Sequence, residues 1–236
     1  MNASRVVVIA MMVGACGSVA SADLLSASTL DARASAQASV STTLGSDGGS
    51  QLSTATLFSE LPVSADAVAS VLDGSASANA NAGGSRGFNV VSAYGDAMGS
   101  AYAPPEGTAN GSGFAQFEFT FTLSGTTDFA LTWFMDVGGS GNIGYAEVAL
   151  FDGDNNAIFY RAADSFGGVD GLENGVLGAG TYRLYAYAGG GGFGGGSDFN
   201  SDANASFNIS MSVIPAPGAM AMLGLGGLVA MRRRRG

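Results

Sequence analysis

A strict two-residue alternation of apolar and polar side chains constrains this chain more than any other feature. Ala32, Ala34, Ala36, Ala38 and Val40 alternate with Arg33, Ser35, Gln37 and Ser39. Ala76, Ala78, Ala80 and Ala82 alternate with Ser75, Ser77, Asn79 and Asn81. Phe117, Phe119, Phe121 and Leu123 alternate with Gln116, Glu118, Thr120 and Thr122, and the pattern returns from Ala203 to Val213. A strand sends successive side chains to opposite faces, so this period describes half-buried strands with one side on a core and one in water. Segments 88–92, 129–136, 145–151, 157–162 and 181–188 read as further strands. Only residues 64–72 suggest helical spacing, with Ser64 as an N-cap.

Glycine marks the joints. Asp152-Gly153-Asp154-Asn155-Asn156 between two apolar runs reads as a hairpin turn, and Gly178-Ala179-Gly180 introduces the strand that follows. Residues 189–196, glycine broken only by Phe193, read as a low-complexity loop. About nine strands with almost no helix imply an all-β fold, an antiparallel β-sandwich of jelly-roll-like form. The two alanine-alternating strands carry small inward side chains and belong at thin regions or edges, where sheets approach closely, and their weak pattern leaves their register open.

The ends of the chain read as addresses. Arg5, the apolar run 6–13 and Ala20-Ser21-Ala22 form a signal peptide over residues 1–22, cut by signal peptidase to leave Asp23 first. Val13-Gly14-Ala15-Cys16 loosely matches a lipidation box, the alternative processing route. At the other end stand Pro215-Ala216-Pro217-Gly218, the mostly apolar residues 219–231, and Arg232, Arg233, Arg234 and Arg235. As a short hydrophobic helix, residues 219–231 would span about 20 Å against a hydrocarbon core of roughly 30 Å. The arginines act as a membrane stop on the cytoplasmic side. A short span pinned by a basic stop suits a segment that is paused in the membrane and then processed; a plain tail anchor is the alternative.

This three-part tail resembles the sorting signal of PEP-CTERM proteins, bacterial surface proteins handled by exosortase-type membrane proteases. The resemblance rests on Pro215 to Gly218, on Leu223-Gly224-Leu225-Gly226-Gly227-Leu228 and on the arginine block. The family pattern has an acidic residue between its prolines, where this chain has Ala216. The resemblance implies an exported protein sorted to the cell surface, at least transiently held in the membrane, and associated with exopolysaccharide. It divides the chain into a signal peptide (1–22), an ectodomain (23–213) and a sorting tail (214–236). The Leu177-x-x-Gly180-Thr181-Tyr182 hairpin also looks like sandwich domains common in that family.

Composition narrows the function classes. Between the two ends, four arginines face all nineteen carboxylates, a balance of −15, and the chain has no lysine or histidine. Such a surface repels nucleic acid and anionic lipid. The absent residues exclude a Ser-His-Asp triad, a histidine metal site and a Walker-type phosphate loop. The single cysteine, Cys16, would leave with the signal peptide. Glu118 and Glu147 are the best remaining carboxylate pair of the glycosidase kind, although a solvated strand face explains them better. Trp133 alone is a thin basis for sugar stacking. Asp152, Asp154 and Asn156 alternate as calcium ligands would, but Ala157 and Ala163 stand where an EF-hand needs glycine and glutamate. A turn accounts for them equally well, so no cofactor is expected beyond a weak calcium site there or near Asp198 and Asp202. Two readings stay open. One is a non-catalytic structural or matrix-associated surface protein. The other is a carbohydrate- or ice-binding module on the same sandwich, although Thr42, Thr43, Thr54 and Thr56 show no sustained repeat.

Overall fold

The structure, a computed structural model, describes residues 26–140, 144–164, 166–195 and 199–215. The signal peptide with Ala20 and Ala22, the box ending in Cys16, and the tail from Ala216 through Pro217, Gly218 and Arg232–Arg235 lie outside the described residues. Twelve strands make up the fold: β1 (Ser26–Thr42), β2 (Gly45–Ala55), β3 (Val63–Val71), β4 (Gly74–Arg86), β5 (Val90–Ala103), β6 (Thr108–Leu123), β7 (Thr127–Gly139), β8 (Tyr145–Asp152), β9 (Ala157–Ala163), β10 (Gly167–Leu177), β11 (Gly180–Gly195) and β12 (Phe199–Pro215). They pair entirely antiparallel in two six-stranded sheets. Sheet A has the order β2-β1-β6-β11-β8-β9, and sheet B the order β10-β7-β12-β5-β4-β3. The chain is the antiparallel β-sandwich that its alternation implies; it changes sheet between β2 and β3, at every step from β5 to β8, and at every step from β9 to β12.

The two sheets have the same plan. In the first half β1 pairs β6 in one sheet while β4 pairs β5 in the other; in the second half β7 pairs β12 while β8 pairs β11. The halves join through β6 with β11 and through β5 with β12. Exchanging the halves in chain order turns the centre of sheet A, β1-β6-β11, into the centre of sheet B, β7-β12-β5, while the outer strands of the two sheets do not all correspond.

Side-chain size sets the thickness of the core. Along β6 the buried residues run Ala109, Gly111, Gly113, Ala115, Phe117, Phe119, Phe121 and Leu123. On β12 they run from Ala203 and Ala205 to Phe207, Ile209 and Met211, so both sheets have their large residues at the same end. Phe58, in a single 3-10 turn between β2 and β3, adds edge-on packing against Phe119 at a centroid distance of 5.6 Å. At the other end the sheets nearly touch. A Cβ on Gly192 would stand 2.7 Å from both Ala101 N and Ser100 Cα, atoms of the facing sheet. One on Gly111 would run into the carbonyl oxygens of Ser77 and Ser100. Ordinary face-to-face sheets lie about 10 Å apart, and only glycine and alanine permit this closer approach.

Two expectations need correction, and the strand count is higher than expected. Residues 64–72 are not helical: they lie in β3 and the turn after it, with Val63, Ala65, Ala67 and Ala69 buried and Ser64, Asp66, Val68 and Ser70 exposed. Pairing with β4 and burial at the thin end override the helix propensity of alanine. The glycine run is not a loop either. Residues 189–195 continue β11 and pair with residues 108–114 of β6, because at the thin end glycine is the residue a strand requires. The strands added are β2, β3 and β10, two of them Gly-rich.

Where β2 and β3 meet at one side of the sandwich, side chains cover the sheet edge. The amide of Asp66 donates to Gln51 Oε1 at 2.7 Å, and that of Ser70 to Asp47 Oδ2 at 2.9 Å. Two edge amides of β3 that could otherwise pair with a foreign strand are thereby satisfied.

Candidate functional site

The alternation that turns Phe117, Phe119 and Phe121 inward leaves Gln116 and Glu118 on the outer side of sheet A. It does the same for Arg183, Tyr185 and Tyr187 of β11, for Tyr145 and Glu147 of β8, and for Tyr160 of β9. Register gathers them: Tyr185 lies between Glu118 and Ala149, and Tyr187 between Gln116 and Glu147. Tyr160 is opposite Ala149 on its other side. Ala149 faces outward yet is fully buried, because its cross-strand neighbours Tyr185 and Tyr160 close over it.

Glu147 is the hub of this face. Tyr145 OH donates to Glu147 Oε2 at 2.7 Å and Tyr160 OH to the same oxygen at 2.9 Å, while the two phenol oxygens lie 2.8 Å apart. Tyr187 stacks on Phe114 at 6.2 Å and tilts towards Tyr145 at 6.3 Å. Burial pushes the Tyr185 phenol up to about 12, with the charge of Glu147 the next cause. Burial also raises Tyr145, reinforced by its bonds to Tyr160 and Glu147, and it raises Tyr187, with Glu147 adding. Tyr145, Tyr185 and Tyr187 are therefore held in their neutral form, able to donate. Tyr160 keeps 46% of its surface exposed, so the cluster opens to solvent. Aromatic faces, hydroxyls and a carboxylate on one rigid sheet can stack against and hydrogen-bond a flat polyhydroxylated ligand.

A second group lies beside the first. Arg183 sits over the Phe151 ring at 4.6 Å, approaches Glu118 Oε2 at 3.4 Å and donates to Asn155 Oδ1 at 3.2 Å. Glu118 and Glu147 share the outer face but are not brought together. β11 runs between them with a two-residue offset, roughly 12 Å between Cα atoms at ordinary strand spacing. Trp133 is on the inner side of β7, partly buried against the core and 5.9 Å from the Phe159 ring, so it takes no part in the face.

The hairpin Asp152 to Asn156 is a closed turn. Asp152 Oδ1 accepts from the amides of Asp154 at 3.0 Å and Asn156 at 2.8 Å, and Oδ2 accepts from Asn156 Nδ2 at 3.0 Å. Asn155 adopts the left-handed conformation at φ 62°. These bonds, those of Asn156 foremost, hold the Asp152 carboxyl below its ordinary range. Both oxygens serve the turn, and Asp154 and Asn156 enter it as donors rather than as a converging ligand set. Asp202 accepts from Ser140 Oγ, while Asp198 lies outside the described residues. Among the described residues no three of Asp, Glu, His or Cys gather as a metal site. Thr42 ends β1, Thr54 is on the β2 edge, and Thr43 and Thr56 fall between strands, so they form no row. Pro215 closes β12 opposite Thr127.

The sequence marked Glu147 but missed its phenols. Tyr145, Glu147, Tyr185 and Tyr187 share an outward phase within their strands, which was legible. Tyr160 joins them only through the β8–β9 register, which includes a bulge between Leu150 and Phe151.

No protein-family model matches this chain, and no curated protein does. Solved structures give distant likenesses. An arabinose-bound α-L-arabinofuranosidase is 9% identical over 49% of this chain and 22% of its own, with a TM-score of 0.22. An Arthrobacter globiformis isomaltodextranase complexed with panose is 14% identical over 80% of this chain and 30% of its own, with a TM-score of 0.24. Infectious bursal disease virus, Gx strain, is 12% identical over 80% of this chain and 56% of its own, with a TM-score of 0.21. The chain spans less than two thirds of each.

Proposed function

We propose that the sandwich is the displayed, non-catalytic binding module of an exported protein sorted to the cell surface, and that it holds polysaccharide on the outer face of sheet A. One observation carries this reading: Tyr145, Tyr160, Tyr185 and Tyr187 converge on Glu147 on a single sheet face. A purely structural surface strand has no need to gather aromatic rings around a carboxylate in contact with water, whereas a sugar-binding face uses both parts. Export and sorting rest on the signal peptide and on the tail's resemblance to the PEP-CTERM signal. The partners are then signal peptidase, an exosortase-type protease, the membrane through the tail, and exopolysaccharide.

The test is a pull-down of the mature chain on insoluble and gel-embedded polysaccharides, alongside Tyr160→Ala and Tyr187→Ala. Each ring removed should weaken binding by about tenfold, equivalent to about 1.4 kcal/mol, with the melting temperature nearly unchanged for the exposed Tyr160. Binding that survives both substitutions would move the site elsewhere. Absence of binding to any polysaccharide would refute the reading.

A further inference from the structure

Resting on that reading, we propose that the ligand is cationic: a glycan of de-N-acetylated amino sugars, whose ammonium groups seat at Glu147 among the tyrosine rings. Glu147 is a carboxylate without a cation. Its hydrogen bonds come from phenols, and no ion pair joins it to a described arginine. The arginines are committed elsewhere. Arg33 pairs with Asp31, and Arg183 with Glu118. Arg86 bonds Ser28 and lies over Phe119, while Arg161 bonds the Tyr160 carbonyl and lies over Phe159. The sequence has no lysine or histidine, so among the described residues no positive charge is left to answer Glu147.

The surroundings suit an ammonium group. Electron-rich faces attract a cation within about 6 Å of the ring centre, and a carboxylate beside them adds a charge-assisted hydrogen bond. The pyranose ring itself can lie on the stacked pair Phe114 and Tyr187. Within residues 23–213 the excess of nineteen carboxylates over four arginines draws in polycations and turns away uronate and phosphate polymers. A neutral glycan could use the rings, but it would leave the negative charge of Glu147 unanswered.

Three probes decide the matter on the mature full chain: glucosamine oligomers with protonated amines, their fully N-acetylated counterparts, and galacturonate oligomers. The glucosamine oligomers should bind about tenfold more tightly than the acetylated ones and weaken as salt rises, and galacturonate should not bind. Glu147→Gln keeps the shape of the side chain and should remove the preference while leaving residual stacking. If acetylated oligomers bind as well as glucosamine, the cationic ligand is wrong and the polysaccharide module stands. If the preference survives in Glu147→Gln, the general acidic surface is responsible and the assignment to Glu147 fails. If no glycan of any kind binds, both readings fall together.

Discussion

Glu147 shows how one residue can organise a surface without an opposite charge beside it. It accepts from Tyr145 and Tyr160, and its charge contributes to the raised value of Tyr185. The folded state favours protonated Tyr185, with a value of about 12 against 10.0 for the free side chain. That stabilisation is fully present below about pH 10 and is lost as the pH rises towards 12, because there the unfolded chain sheds the proton first. Alkaline unfolding should therefore set in across this window. Phenolate absorbance of the folded chain should show a late-titrating group absent from the denatured chain. Glu147→Gln should lower the Tyr185 midpoint only partly, since burial is the larger cause. A Tyr185 signal that titrates with the exposed tyrosines would contradict the buried geometry of the cluster.

At the scale of the strand, what could be read depended on the contrast between the two faces. β6 and β12 alternate large apolar with polar residues and were legible at once. Most of β5 is illegible in the sequence because its contrast is inverted. Its buried residues include Gly95, Ala97, Gly99 and Ala101, while Tyr94, Met98 and Tyr102 point outward. A scale that equates bulk with burial fails where two sheets nearly touch, and for the same reason the glycine-rich end of β11 reads as a loop in the sequence. The alanine strands nonetheless pointed to a thin region, and β1 and β4 pack there. The cost of adding size measures how thin it is. Gly192→Ala puts a methyl group 2.7 Å from two backbone atoms of the facing sheet and should cost about 3 kcal/mol. Gly125→Ala, with nothing within 4 Å, should change stability by less than about 0.5 kcal/mol. Urea denaturation of both variants checks the pair. Equal midpoints would mean that the sheets can separate without cost.

For the whole molecule, the path from fold to address is short. β12 stays paired through Pro215, opposite Thr127, so the first residue of the proposed sorting motif is also the last residue of a strand. Three residues, Ala216 to Gly218, then separate the sandwich from the apolar run, a reach of about 10 Å at full extension. With residues 219–231 in the membrane, the sandwich would be held about one Debye length from the lipid, with its acidic surface repelled by anionic headgroups. On the proposed reading only the tail opposes that repulsion, with the four arginines as its stop. Replacing Arg232 to Arg235 with glutamine should therefore send the protein into the medium. Replacing Pro215 and Pro217 with alanine should leave an uncut, membrane-retained form, because the stop survives while the recognised motif does not. Fractionation with intact-mass measurement separates these outcomes. If the wild-type chain keeps its arginines at the surface and the proline variant matches it, the tail is a plain anchor and sorting by proteolysis is wrong. The proposed sugar-binding face of sheet A would be untouched by that result, since its residues depend on the sandwich and not on how it is tethered.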